Sequence, residues 1–209
     1  MERYIKTNVI NDLNKKMVFV GGPRQVGKTT FAKGLLQKRG FYLNWDDAKD
    51  RELLLAGEFP SEPGLLVLDE LHKYKRWRGL LKGLFDKRKE ELQILVTGSA
   101  RLDYYRKGGD SLQGRYHYYR MHPLSLKELG SDKLSGLMAL LKYGGFPEPF
   151  YSADEAETRR WSREYRSRIV RDELRDLEKI HDISLIDQMA HRLPALVGSP
   201  LSLNALRED

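Results

Sequence analysis

Short apolar runs alternate with amphipathic stretches over the first two thirds of the chain. Residues 16–20 (KMVFV) form an apolar, β-rich run that Gly21-Gly22-Pro23 stops. From Thr29 to Arg39 the apolar residues Phe31, Leu35 and Leu36 have helical spacing, and Gly40 is expected to end that helix. Phe41-Tyr42-Leu43 predicts a second strand. Leu65-Leu66-Val67-Leu68 is continuously apolar, as suits a strand buried on both faces of a parallel sheet. Trp77, Leu80, Leu81, Leu84 and Phe85 recur at i, i+3, i+4, i+7 and i+8 and predict an amphipathic helix. Ile94-Leu95-Val96 and the run from Arg115 to Met121 predict two more strands. Alternating strands and helices imply βαβ units and a mainly parallel sheet, placed at residues 1–130. Beyond it the pattern is helical, at about 134–143, 153–178 and 183–193, with Ser202 as a candidate cap of a further helix.

Composition narrows the picture modestly. The chain has 209 residues, 40% of them hydrophobic and 32% charged, which is globular rather than disordered. It has no cysteine, which excludes disulfides and thiolate metal sites. The segment from Met1 to Lys16 alternates polar and apolar residues and has no signal-peptide core. No apolar run approaches the roughly 20 residues of a membrane helix. The expectation is a soluble, cytoplasmic protein without membrane partners. A net charge of +7 is compatible with phosphate-bearing partners and equally with a plain basic surface.

The sharpest chemistry lies at residues 22–29. Gly22-Pro23-Arg24-Gln25-Val26-Gly27-Lys28-Thr29 fits G-x-x-x-x-G-K-[ST] between a predicted strand and a predicted helix. Glycines let the backbone turn tightly and bring N–H groups onto phosphate oxygens, and the helix N-terminus adds its dipole. In that motif Lys28 reaches the β- and γ-phosphates and the Thr29 hydroxyl ligates Mg²⁺. Thr30 belongs to the same nucleotide-binding set. Arg24 and Gln25 either touch phosphate or face solvent.

Asp69-Glu70 closes the strand at 65–68. A strand ending in Asp beside the phosphate-loop strand would bring Asp69 to the metal, with Glu70 placed to polarise an attacking water. Otherwise the pair is an ordinary strand end. His72 and Lys73 read as a surface loop. Ser99, and less so Thr97, could sense the γ-phosphate from the next strand tip or simply cap a turn.

GPRQVGKTT, LLVLDELHK, VTGSA and SLQGRYHYYRMHPLSLKEL, in that order and followed by GGFPEP at Gly144–Pro149, resemble the prokaryotic AAA-type ATPases in which a domain of unknown function commonly follows the ATP-binding domain. The resemblance implies a three-layer α/β/α P-loop core at 1–130, a helical lid at 131–180 and the start of a winged helix at 181–209, with the usual C-terminal domain lacking. It implies ATP or ADP with Mg²⁺ as ligands, and Lys28, Glu70, Ser99 and Arg115 as catalytic groups. Arg115 then senses γ-phosphate, within the chain or across to a neighbour, or is a charged strand end. Pro147 is similar to a lid proline that packs on adenine in related signal-transducing ATPases.

Seven arginines between Arg159 and Arg175 are interleaved with acids, including the pairs Glu164–Arg168 and Arg168–Asp172. That favours a solvated, salt-bridged helix over a nucleic-acid surface. The leading expectation is a Mg²⁺-dependent ATPase. The alternatives are a slow nucleotide-gated switch, with a homo-oligomer or protein partner, and a nucleic-acid-stimulated ATPase.

Overall fold

The computed structural model describes residues 1–36, 40–59, 62–99, 112–130, 133–170, 183–200, 202 and 204. The chain forms two compact units, Met1–Tyr151 and Ser152–Asp209.

The first unit is built on five strands: β1 (Met17–Gly21), β2 (Phe41–Asn44), β3 (Gly64–Asp69), β4 (Leu92–Thr97) and β5 (Tyr116–Arg120). All four pairings are parallel, in the order β2-β3-β4-β1-β5. Because side chains alternate across a strand, each apolar run feeds both faces of the sheet. Met17, Phe19, Leu66, Leu68, Ile94 and Val96 pack on one face with α4 (Trp77–Arg88), which contributes Trp77, Leu81 and Leu84. Val18, Val20, Val67 and Leu95 pack on the other face. There they meet Val9 and Leu13 of α1 (Lys6–Leu13), and Phe31 and Ala32 of α2 (Lys28–Leu35). The result is a three-layer α/β/α unit with the sheet in the middle.

Several local expectations change. The N-terminal segment is helical: Ile5, Val9 and Leu13 fall at i, i+4 and i+8 and are all buried. The second helix stops at Leu35, short of Gly40, and residues 37–39 lie outside the described residues. A helix absent from the sequence reading, α3 (Ala48–Ala56), starts where the Asp47 carboxylate accepts from the backbone N–H of Lys49 and Asp50. The predicted helix at 153–178 is preceded by a separate short helix, Pro147–Ser152, and its described part runs Glu155–Arg168 behind an Asp154 cap. Further on, Ile183–Arg192 is helical. The helix expected from Ser202 falls almost wholly outside the described residues; of the winged-helix start expected at 181–209, the described part holds the helix Ile183–Arg192 and a 3-10 turn at Leu193–Leu196.

The strand order also corrects one inference. β3 is not adjacent to β1, because β4 lies between them, with Val20 opposite Thr97 and Thr97 opposite Asp69. The two strands that carry the candidate chemistry are therefore about 10 Å apart, two interstrand spacings.

Leu95 is fully buried in the central strand, whereas Leu55 on α3 is 55% exposed. Leu95→Ala is expected to lower stability by about 2–5 kcal/mol in urea denaturation. Leu55→Ala should change it by less than about 0.5 kcal/mol.

Candidate nucleotide-binding site

β1 delivers the chain to the loop at residues 22–27 at its C-terminal end. Gly22 has φ +152°, and a Cβ there would lie 2.3 Å from the Met121 carbonyl oxygen, so the tight exit from β1 admits no side chain. Gln25 takes a left-handed conformation at φ 60°. The loop then enters α2, whose first residue is Lys28. The Lys28 ammonium is buried and donates to the carbonyls of Gly22 (3.0 Å) and Pro23 (2.7 Å), which holds it inside the curve of the loop. Arg24 and Gln25 are half-buried, and Val26 is fully buried in the core.

Asp69, at the end of β3, is 4% exposed. A buried carboxylate needs donors, and three hydroxyls supply them. Thr97 Oγ1 donates to Oδ1 at 2.5 Å, while Thr29 Oγ1 and Tyr42 Oη donate to Oδ2 at 2.7 and 2.8 Å. Thr97 thus spans the gap that β4 opens between β1 and β3. Of the two strand-tip hydroxyls, Thr97 and not Ser99 touches Asp69. Ser99 is buried and sits 3.5 Å from His72 Nε2. Burial and the Asp69 acceptor push the Tyr42 phenol above its ordinary range, so it stays a donor through the working pH range.

Glu70 follows Asp69 in a left-handed conformation, φ 56°, rare for a residue with a side chain. Its carboxylate lies 3.4 Å from Lys73 Nζ and 3.8 Å from His72 Nε2. Lys73 also pairs with Asp46. His72 is 5% exposed, which overturns the surface-loop reading for that residue; Lys73 stays exposed. Burial raises the Glu70 carboxyl above its ordinary value, opposed by Lys73, assisted by Asp69 and opposed again by Lys28.

Beside the loop lies a cavity of about 650 Å³. Its wall includes Val26, Phe31, Leu35, Leu124, Pro147 and Tyr151, with Thr30 and the N-terminal residues Met1–Arg3 and Lys6 on the same wall. Pro147 Cγ is 3.8 Å from where a Cβ on Gly27 would stand. Pro147 is brought there by Gly145, which packs against the Leu124 backbone and accepts a hydrogen bond from Leu124 N at 2.6 Å. The N-terminal wall is fastened by Glu128, 1% exposed at its side chain. Glu128 pairs with Arg3 at 3.0 Å and accepts from Tyr4 N and from Ser125 N and Oγ. Nothing in the sequence reading had pointed to Tyr42, Arg3 or Glu128.

Arg115 is not brought to this site. It precedes β5, whose first residue, Tyr116, pairs with Met17, while the loop follows Gly21, which pairs with Arg120. In a parallel sheet that puts Arg115 at the opposite edge, about five residues of strand or 16 Å away. Its guanidinium holds Asp86 through two hydrogen bonds of 2.8 and 3.1 Å. The sensing role expected for it within the chain is thereby overturned. In the second unit, Arg159–Glu155 and Arg160–Glu164 form exposed i, i+4 pairs. Arg171, Arg175 and Asp172 lie outside the described residues.

A parallel α/β sheet with a phosphate loop at the C-terminal end of β1, and a carboxylate bonded to the loop's threonine, defines the P-loop nucleotide-binding class. The chain belongs to the AAA domain family, whose model matches residues 14–130. A second family model, a domain of unknown function (DUF8612), matches residues 135–209, so such a domain is represented here after all. Uncharacterised proteins of Mycobacterium tuberculosis and Mycobacterium bovis are each 28% identical over 153 residues, 69% of this chain. The chain spans about a third (33%) of their length. Among solved structures, a variant of Thermotoga maritima RuvB matches with a TM-score of 0.50 and 19% identity, over 98% of this chain and 80% of that one. A STAND protein with a tetratricopeptide repeat sensor from Pyrococcus horikoshii matches with a TM-score of 0.46 and 16% identity, over 70% of this chain and 28% of that one. These likenesses concern the fold. Among the described residues no helix is long and apolar enough to cross a membrane.

A raised Glu70 pKa means that the folded state holds this proton more tightly than the unfolded chain does. Ionised Glu70 therefore costs stability at neutral pH, and the cost disappears as pH falls below the ordinary carboxylate range, about 4.3. Glu70→Gln is expected to raise the melting temperature at pH 7–8, with the gain fading by about pH 4. A pH series of calorimetric melts on both proteins checks it.

Proposed function

We propose that the chain binds ATP with Mg²⁺ and hydrolyses it. The observation that carries this reading is the Thr29–Asp69 hydrogen bond of 2.7 Å beside the Lys28 ammonium. It joins the phosphate loop to the strand-end carboxylate across an intervening strand. Mg²⁺ characteristically takes few protein ligands and shares the rest with phosphates and water, and one hydroxyl backed by one carboxylate suits that habit. Thr29 and Asp69 would hold it, and when bound it supplies charge neutralisation at the phosphate oxygens.

The remaining roles fall to this chain's own groups. The loop from Gly22 to Gly27 offers backbone N–H groups to phosphate, with Pro23, Arg24, Gln25 and Val26 fixing its path. Lys28 leaves the loop carbonyls for the phosphates. Glu70 accepts the proton of the attacking water, and its raised pKa makes it a stronger base than an exposed glutamate. Ser99 and His72 line the approach to Glu70. The apolar cavity under Pro147, with Thr30 at its wall, takes the base of the nucleotide. In this reading residues 1–130 are the core, 131–180 the lid and 181–209 a winged-helix start. Assembly with further copies of the chain belongs to the same proposal.

One observation favours slow turnover and a switch-like role. Glu70 is engaged by Lys73 and must be released from it to serve as a base.

Lys28→Ala is expected to weaken MgATP and MgADP binding by at least about 100-fold in calorimetry, by loss of a buried charge-assisted contact. Glu70→Gln should keep binding and lower phosphate release by about 10²–10⁴-fold, the usual share of a general base. Wild-type protein that takes up neither nucleotide would refute the reading.

A further inference from the structure

Resting on the nucleotide reading above, we infer that Tyr42 is a positioning residue for the metal-bearing side of the site, acting through Asp69. Its phenol reaches the carboxylate from β2, on the far side of β3 from the phosphate loop. The loop's own Thr29 and the neighbouring Thr97 already bond Asp69. A carboxylate has about four acceptor positions, so three are filled by fixed hydroxyls. Tyr42 and Thr29 share Oδ2, and Thr97 holds Oδ1. The three donors come from α2, β2 and β4, so the carboxylate plane is set by three separate elements and cannot turn without breaking a bond to one of them.

Two further contacts fix the phenol. Tyr42 stands in register with Val67, two residues before Asp69 on the adjoining strand. Lys33, from the helix that begins at the phosphate loop, places its ammonium 4.3 Å from the centre of the tyrosine ring. The ring is thus held between the loop's helix and the sheet, and only its hydroxyl is committed to Asp69. Its task is to keep Asp69 aimed at Thr29, so that the threonine oxygen presents itself to the cation in one orientation. Partners of this kind tune metal affinity without touching the metal, and their loss typically weakens it by about 10–100-fold.

The test is calorimetric binding of ADP at a series of Mg²⁺ concentrations and in excess chelator, on wild type, Tyr42→Phe and Tyr42→Gln. Tyr42→Phe keeps the ring and removes the hydroxyl. It is expected to leave metal-free ADP affinity within about twofold while raising the Mg²⁺ concentration for half-maximal enhancement about tenfold. Tyr42→Gln offers an amide donor and should fall between the two; it also serves as the second variant should Tyr42→Phe fold poorly. An unchanged Mg²⁺ requirement in both variants overturns the inference. So does an equal loss of metal-free and metal-bound affinity, the mark of a merely structural role. If wild type binds no ADP under any condition, it is the nucleotide reading that fails.

Discussion

A carboxylate buried at the end of a parallel strand is the constraint around which the site is arranged. Asp69 is almost fully enclosed, and an ionised group in that position is tolerated only when its oxygens are occupied by donors. Three elements each supply one hydroxyl: α2 gives Thr29, β2 gives Tyr42 and β4 gives Thr97. These bonds tie the loop's first helical turn to β2, β3 and β4. The strand order β2-β3-β4-β1-β5 makes them necessary, since β4 keeps the carboxylate strand from lying directly against the loop strand.

The second organising feature is the fastening of the N-terminal segment. Glu128 gathers Arg3, Tyr4 and Ser125 at one buried carboxylate, and Met1–Arg3 become part of the cavity wall. Tyr119 adds a bond to Asp12 at the far end of α1. The apolar side of α1 fills the core while its flanks are held by polar bonds to the last strand and the segment after it.

Much of the core was legible in the sequence because a doubly covered parallel sheet writes itself as uninterrupted apolar runs. Residues 65–68 and 94–96 lie within β3 and β4, and the five strands stand close to where the pattern puts them. The phosphate-loop motif is local and therefore readable. What failed was non-local or short. Strand order leaves no mark in a run of leucines, so the insertion of β4 was invisible. Arg115 follows a glycine before a strand, but only the register shows which edge of the sheet that step occupies. Tyr42 looks like any strand tyrosine until Asp69 arrives across two residues of pairing. His72 reads as loop because its burial comes from packing beyond its own segment. α1 was missed although Ile5, Val9 and Leu13 carry helical spacing, since the intervening residues also alternate.

The pairing of β1 has a bearing on how the chain acquires its shape as it is made. Val18 meets Leu95 on one side and His117 on the other, so the strand that leads into the loop gains its two neighbours only from segments far downstream. Such distant pairings close late, because the entropy of the long intervening loops must be overcome first. On a ribosome that emits the chain from its N-terminus, residues 17–21 leave the exit tunnel about a hundred residues before β5 can join them. Until β4 and then β5 emerge, this apolar strand lacks its sheet neighbours, and chaperones have that interval in which to hold it.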